Sequence, residues 1–505
     1  MRRGKTVVMA MRISASPAKS TWPPGKTAGI IALAFLLPLL ACLRVCAADI
    51  TKIAYGRFGE VTVYRQVRDP RNVVLFVSGD GGWNSGVIDM AQSLVALDSV
   101  VIGIDIVHYL RELAGSGESC TYSAADFENL SHFIQKKIGL PRYIPPVLVG
   151  YSSGATLVYA VLVQAPAGTY QGALSLGFCP DLPVNKPFCP GSADLQCEPG
   201  QKGKGYILLP ARQLKARWIT LQGDIDQVCD PATTEKFVSR ISTASIVKLP
   251  KVGHGFAVQK NWLPQFKQAF AELHDDQGEA REPPGLRPDI SDLPVHEVPA
   301  AGGPGSTMAV IYTGDGGWAG IDRELARALS AAGLSVVGLD TLQYFWTPRT
   351  PENAARDLER LLTYYQDTWH YDNVVLIGYS LGAEVLPFLA DRLAAPWRHK
   401  IRLIGLLSPG DAASFEFHLS DWLGGENSSE AKPVKPEIEK LYGDHLICFY
   451  GSDEKDALCR KLDGTRVKII ALPGGHHFGG KYDLIAGHLL RALEEQEKLV
   501  RETMP

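Results

Sequence analysis

The sequence predicts an α/β protein of two tandem domains, each a mostly parallel sheet flanked by helices. Two observations lead there: a long internal repeat, and short apolar, β-branched runs that alternate with helical stretches. Val73-Val-Leu-Phe-Val-Ser-Gly-Asp-Gly-Gly-Trp83 recurs as Ala309-Val-Ile-Tyr-Thr-Gly-Asp-Gly-Gly-Trp318, with one residue of slack. Val100-Val-Ile-Gly-Ile-Asp105 recurs as Ser335-Val-Val-Gly-Leu-Asp340, and Val147-Leu-Val-Gly-Tyr-Ser-Ser-Gly-Ala155 as Val375-Leu-Ile-Gly-Tyr-Ser-Leu-Gly-Ala383. Similarity that keeps its order over so long a span means duplication of a whole domain, since solenoid repeats are far shorter. Continuous apolar strands separated by helices indicate a parallel sheet covered on both faces.

The remaining elements follow in chain order. Arg2, Arg3, Lys5, Arg12, Lys19 and Lys26 precede an apolar run from Ala28 to Leu43, and small residues follow at Cys46-Ala47-Ala48. A basic region, a short apolar core and a small-residue end describe a signal peptide over residues 1–48; the alternative is a retained membrane anchor. The export signal implies the periplasm. The first domain is assigned to residues 49–274, with strands at Val73 to Val77, Val100 to Ile104, Val147 to Val149 and Trp218 to Leu221. Residues 275–292, with Pro283-Pro284-Gly285 and Pro288, are too polar and too rich in Pro and Gly to build a core, and read as a linker. The second domain is assigned to residues 293–505, where Pro351 to Tyr365 lines Ala354, Leu358, Leu361 and Leu362 along one helical face.

A chain of 505 residues exceeds one ordinary core, which agrees with this division. Its formal net charge of −3, with no long Lys/Arg stripe, argues against nucleic acid as a partner. An exported protein meets an oxidising compartment, so the cysteines are expected in disulfides. Cys448 and Cys459 flank one turn and are expected to bond each other; Cys120, Cys179, Cys189, Cys197 and Cys229 leave one over. No spacing of Cys or His suggests a metal site, and no cofactor is expected.

The chemistry lies in Gly378-Tyr379-Ser380-Leu381-Gly382, which follows an apolar strand and opens a helix, and in its counterpart Gly150-Tyr151-Ser152-Ser153-Gly154. G-x-S-x-G in that context is the nucleophile elbow of an α/β-hydrolase. A serine needs a base, and the base an orienting carboxylate, in the chain order Ser, acid, His. The first copy offers Ser152, Asp226 and His254. In the second, aligning the Asp-x-(Val/Leu)-Cys segments selects Asp456, whereas counting from the strand-ending glycine selects Glu454; Asp456 is preferred. Counting from Leu-Pro selects His477 over His476. The oxyanion hole is expected from the amides of Leu381, Gly316 and Gly317, with Ser153, Gly81 and Gly82 as counterparts.

The second copy resembles the VirJ/AcvB family of periplasmic bacterial proteins. The resemblance rests on Gly314-Asp-Gly-Gly-Trp318, Leu339-Asp-Thr-Leu-Gln-Tyr-Phe-Trp346, Arg349-Thr-Pro-Glu352, Gly378 to Pro387 and Pro473-Gly-Gly-His-His-Phe478. It implies hydrolysis of lysyl-phosphatidylglycerol, an aminoacylated phospholipid headgroup at the membrane surface, and a link to virulence and secretion-system proteins. A lysyl amine calls for carboxylates, and Glu384 with Asp315 is the candidate pair; the alternative is that Glu384 only complements the positive N-terminus of its helix. Two other readings stay open: a non-enzymatic periplasmic adaptor, and a general lipase or esterase. The first copy lacks the Tyr-Phe-Trp and Arg-Thr-Pro-Glu segments and carries a Cys-containing insertion from Cys179 to Pro210, a candidate cap. It is read as a degenerate copy that binds lipid or a partner, in preference to a second esterase.

Overall fold

Strand and helix alternate through both halves of the chain in the computed structural model, which describes residues 49–200, 205–273, 289–303, 305–417, 431–442, 445–464 and 466–503. The expected signal peptide, residues 1–48, and most of the expected linker, residues 275–292, lie outside these residues. In the first half the strands are β1 (Asp49–Tyr55), β2 (Gly59–Arg65), β3 (Asn72–Val77), β4 (Ser99–Ile104), β5 (Val147–Tyr151), β6 (Gly172–Leu176), β7 (Asp181–Leu182), β8 (Cys197–Pro199), β9 (Tyr206–Leu208), β10 (Arg217–Gly223) and β11 (Ala244–Leu249). The helices are α1 (Ser85–Val95), α2 (Ile106–Ala114), α3 (Ser123–Lys137), α4 (Ser153–Gln164), α5 (Pro231–Val238) and α6 (Leu263–Glu272). The second half holds β12 (Val295–Val298), β13 (Thr307–Tyr312), β14 (Ser335–Leu339), β15 (Asn373–Tyr379), β16 (Ile401–Leu407), β17 (Ala412–Ala413), β18 (Lys432–Pro433), β19 (Leu446–Gly451) and β20 (Lys468–Leu472). Its principal helices are α7 (Gly320–Ala331), α8 (Thr341–Tyr344), α9 (Pro351–Trp369), α10 (Leu381–Arg392) and a long last helix, Tyr482–Thr503.

The two sheets correspond strand for strand. The first runs β1-β2-β4-β3-β5-β6-β10-β11 and the second β12-β14-β13-β15-β16-β19-β20, so the first has one extra edge strand. Only the outer strands β1, β2 and β12 pair antiparallel; the rest of each sheet is parallel. The central strands β3, β5, β13 and β15 are buried almost throughout, because helices cover both faces. This is a pair of tandem α/β-hydrolase domains.

The repeated motifs explain one another. Trp83 stacks its ring where a side chain at Gly103 would stand, and Trp318 does the same over Gly338. The Val-x-Gly-x-Asp repeat therefore supplies the floor for the Gly-Asp-Gly-Gly-Trp loop. Its aspartate closes the link: Asp105 accepts the Trp83 amide at 3.2 Å and Asp340 the Trp318 amide at 3.3 Å. Asp340 also caps α8 by accepting the Gln343 amide at 2.9 Å.

The disulfides are Cys120–Cys189, Cys179–Cys229 and Cys448–Cys459, with Cys197 free. The insertion forms a small sheet, β7-β9-β8, that packs along α4: Gln164 donates to the Cys189 carbonyl at 3.0 Å and Tyr159 to the Leu209 carbonyl at 3.0 Å. The last linker residues belong to the second domain, since Ile290 is buried in its core and Asp292 pairs with Arg360 at 2.6 Å.

The two domains meet through Trp346. Its indole donates to the Leu140 carbonyl at 2.8 Å and stacks on Phe417, and Tyr143 and Leu342 complete a buried cluster. Lys136, at the end of α3, reaches the Trp346 carbonyl at 2.9 Å and Glu416 at 3.1 Å. The Tyr344-Phe345-Trp346 segment is thus buried, two residues in the second core and the third between domains.

Candidate active sites

Each G-x-S-x-G turn forces its serine into a backbone conformation that L-residues avoid: Ser152 has φ 55° and Ser380 φ 50°. The turn closes only because its glycines lack side chains. A Cβ on Gly378 would stand 2.4 Å from the Gly382 carbonyl oxygen, and one on Gly382 would stand 2.1 Å from that of Tyr312. Gly150 and Gly154 are equally confined, at 2.1 Å and 2.4 Å. The strained serine is lifted from the carboxyl end of the central strand, as a nucleophile elbow requires.

In the first domain the expected triad assembles. His254 Nε2 lies 2.9 Å from Ser152 Oγ, and His254 Nδ1 lies 2.9 Å from Asp226 Oδ2. Asp226 is buried and further held by the Val228 and Cys229 amides at 2.9 Å and the Gln222 amide at 3.0 Å. The geometry therefore gives no support to a degenerate first site. Asp226, Cys229 and His254 also lie close enough to hold a metal ion, but the Cys229 sulfur is spent in a disulfide.

In the second domain the expected residues are displaced. His476, not His477, reaches the nucleophile, with Nε2 2.9 Å from Ser380 Oγ. Glu454, not Asp456, orients it, with Oε1 2.8 Å from His476 Nδ1. Asp456 is exposed beside the site. His477 instead bonds the Tyr379 hydroxyl at 2.8 Å, and burial together with the neighbouring His476 charge lowers its pKa.

Both corrections have physical reasons. The cysteines that guided the alignment are not equivalent: Cys229 bonds Cys179, whereas Cys459 bonds Cys448. Backbone hydrogen bonds give the true register. Asp226 N donates to Gly223 O at 3.4 Å, and Glu454 N to Gly451 O at 3.0 Å. For the histidine, the loop after β20 is one residue shorter than that after β11. Gly474, at φ 102°, makes the shortcut in a conformation that favours glycine. The Tyr151 hydroxyl donates to the His254 carbonyl at 3.0 Å and the Tyr379 hydroxyl to that of His476 at 3.4 Å, which pairs the two residues.

Glu454 is well placed to stay ionised. Burial alone would raise its pKa, but hydrogen bonds from His476, the Gly451 amide at 2.6 Å and the Ser408 hydroxyl at 2.8 Å hold it below the ordinary value. The oxyanion donors are also revised. Gly82 N is used within its turn, bonding Gly79 O at 2.9 Å, and Gly317 N bonds Gly314 O at 3.1 Å. Both are removed as donors. Ser153 and Leu381 open α4 and α10, so their amides belong to the first-turn N–H groups that have no partner within the helix. Gly81 and Gly316 stay in the loops facing the serines, and a Cβ on Gly314 would lie 3.5 Å from that of Ser380.

Glu384 does not face the second site. Its carboxylate accepts the Gly410 amide at 3.1 Å, bracing the segment after β16 much as Thr156 braces the Cys179 carbonyl at 2.6 Å. Asp315 does face it. A cavity of about 940 Å³ lies before Ser380 and His476, with Asp315 and Arg323 from the second domain and Glu128 and Lys215 from the first in its walls. Sequence reasoning missed Glu128 altogether, since it lies in no motif.

A family model described as bacterial virulence protein (VirJ) matches residues 71–177 and 306–497, more than half of the chain. Comparison with curated proteins returned no match. Among solved structures, the chain is similar to an esterase domain of a Rhodothermus marinus protein, 13% identical over 45% of this chain and 98% of that one, TM-score 0.31. It is also similar to an α/β serine hydrolase without a lid from Xanthomonas campestris (18% identical, 46% and 97% covered, TM-score 0.30) and to a dienelactone hydrolase from Anabaena variabilis (16% identical, 45% and 97% covered, TM-score 0.31).

Proposed function

Because the chain belongs to the VirJ family of bacterial virulence proteins, we propose that it is a periplasmic serine ester hydrolase acting on aminoacylated phospholipid, with Ser380 as its principal nucleophile. The observation that carries this reading is His476 bridging Ser380 and Glu454 at 2.9 and 2.8 Å. Glu454 holds the imidazole with its Nδ1 protonated, leaving Nε2 to take the proton as Ser380 Oγ attacks the ester carbonyl. The Leu381 amide and an amide of the Gly314–Gly316 loop receive the developing oxyanion. The imidazolium then gives its proton to the departing glycerol oxygen. Water, activated by the same histidine, releases the acyl group and restores the serine.

The substrate is inferred by resemblance as lysyl-phosphatidylglycerol, whose products are lysine and phosphatidylglycerol. The first domain has the same constellation around Ser152, so ester hydrolysis there is the second reading. Purified protein lacking residues 1–48 should release lysine from lysyl-phosphatidylglycerol vesicles, with the rate abolished in Ser380→Ala and largely retained in Ser152→Ala. Loss only in Ser152→Ala would transfer the activity to the first domain. Unchanged lipid throughout, with no cleavage of a simple acyl ester, would favour an adaptor for secretion or virulence proteins.

A further inference from the structure

The cavity before Ser380 is built by both domains, and the first domain's contribution is chemical as well as spatial. Glu128, on α3, is a half-buried carboxylate in its wall, and Asp315 stands in the loop beside the nucleophile. Among the described residues Glu128 has no hydrogen-bond or ion-pair partner, and the charge acting on it is that of Asp315. Burial first, then Asp315, pushes its carboxyl up to about 7. Asp315 is raised as well, chiefly by burial, against the opposing charges of His476 and His477. Two half-buried carboxylates thus face one cavity, and among the described residues neither is in an ion pair, an arrangement that a bound cation would relieve.

Two of the cations on the same walls are engaged elsewhere. Arg327 pairs with Glu324 at 2.5 Å, and Arg323 donates to the Ala167 carbonyl at 3.4 Å. Neither these nor Lys215 forms an ion pair with Glu128 among the described residues. The first site shows how the second differs. There Asp80, the counterpart of Asp315, accepts the Ser153 hydroxyl; in the second site that position is Leu381, which has nothing to donate. The placement of Glu128 is fixed by the domain interface, because Lys136, about two turns further along α3, is held by Trp346 and Glu416.

We propose that Glu128 of the first domain, with Asp315 of the second, forms a cross-domain subsite for a distal ammonium on the acyl part of the ester, making the Ser380 site selective for basic aminoacyl esters. The proposal deepens the reading of Ser380 as an ester hydrolase and rests on it. A lysyl ester carries such a distal ammonium, and a norleucyl ester of the same chain length carries none.

Binding tests it without turnover. In the full chain carrying Ser380→Ala, lysine methyl ester and norleucine methyl ester are titrated by calorimetry. Lysine methyl ester is expected to bind about 10- to 100-fold tighter, the worth of a hydrogen bond to a charged group. Glu128→Gln should erase most of that ratio while leaving norleucine methyl ester unchanged. Equal affinity for the two esters, or a ratio untouched by Glu128→Gln, overturns the subsite. An equal fall for both esters assigns Glu128 a structural role and also overturns it. With Ser380 intact, hydrolysis of the matching p-nitrophenyl esters tests the reading beneath: no Ser380-dependent cleavage of either sinks the hydrolase assignment, while the binding ratio still decides the subsite.

Discussion

Replacing Glu454 by glutamine isolates the orienting carboxylate of the second triad. Its Oε1 lies 2.8 Å from His476 Nδ1, while Oε2 accepts the Gly451 amide at 2.6 Å and the Ser408 hydroxyl at 2.8 Å. A glutamine has one acceptor and one donor for these two places. With its oxygen toward His476, its NH₂ meets the Gly451 N–H, donor against donor. With its NH₂ toward His476, it stabilises the tautomer protonated at Nε2, which cannot take the Ser380 proton. The second placement keeps the Gly451 bond and should prevail. The corresponding change in a serine protease triad lowers kcat about 10⁴-fold, equal to about 5 kcal/mol of barrier. A loss of about 10³- to 10⁴-fold in kcat is therefore expected for Glu454→Gln, with stability lowered by about 1–3 kcal/mol. Asp456→Asn should change kcat less than about twofold, because Asp456 is exposed and outside the triad. The assay is steady-state hydrolysis of a lysyl ester, with Tm recorded for each variant. A large loss in Asp456→Asn with activity retained in Glu454→Gln would refute the register of the whole second triad.

Two further outcomes follow from the domain boundary. Glu128 has a folded-state pKa near 7 against an ordinary 4.5, so the folded protein binds more protons in that window and loses stability as pH rises from about 4.5 through 7. Glu128→Gln should therefore raise Tm at pH 8 by an amount worth roughly 1–3 kcal/mol and change little at pH 4; equal effects at both pH values would contradict the shift. Trp346→Ala removes a buried indole and its bond to the Leu140 carbonyl, a loss of about 3–5 kcal/mol, and calorimetry should split one unfolding transition into two, whereas an unchanged single transition would deny the interface its role.

Much of this molecule was legible because the duplication printed its motifs twice. The strands were visible as apolar runs, since strands buried on both faces carry few polar residues. Ser152, Asp226 and His254 followed from chain order alone. The second triad was harder. Cys459 follows Asp456 at the spacing by which Cys229 follows Asp226, yet the two cysteines bond partners on different elements, so aligning them moved the acid from Glu454 to Asp456. A single residue removed before Gly474 moved the base from His476 to His477. Gly82 and Gly317 read as oxyanion donors because glycine permits close approach, but their amides close the turn itself. Glu128 was illegible for a different reason: its relevance arises only when α3 of one domain faces the nucleophile of the other, and no local pattern records that meeting.

The asymmetry between the copies then acquires a physical sense. Both keep a strained serine, a histidine and an acid in hydrogen-bond register, so the chemistry of acyl transfer does not distinguish them. What differs is the surroundings. The first site's loops carry the exposed side chains of Ile225, Val228 and Val258, and Asp80 is satisfied within its own domain by Ser153. The second site borrows its far wall from α3, and its loop carboxylate faces another across the boundary. Selectivity at Ser380 is consequently coupled to docking of the domains: the triad lies within one domain, but the charge that would choose the acyl group arrives on the other. Loosening the Trp346 anchor should therefore erode discrimination between basic and neutral acyl groups before it erodes hydrolysis itself.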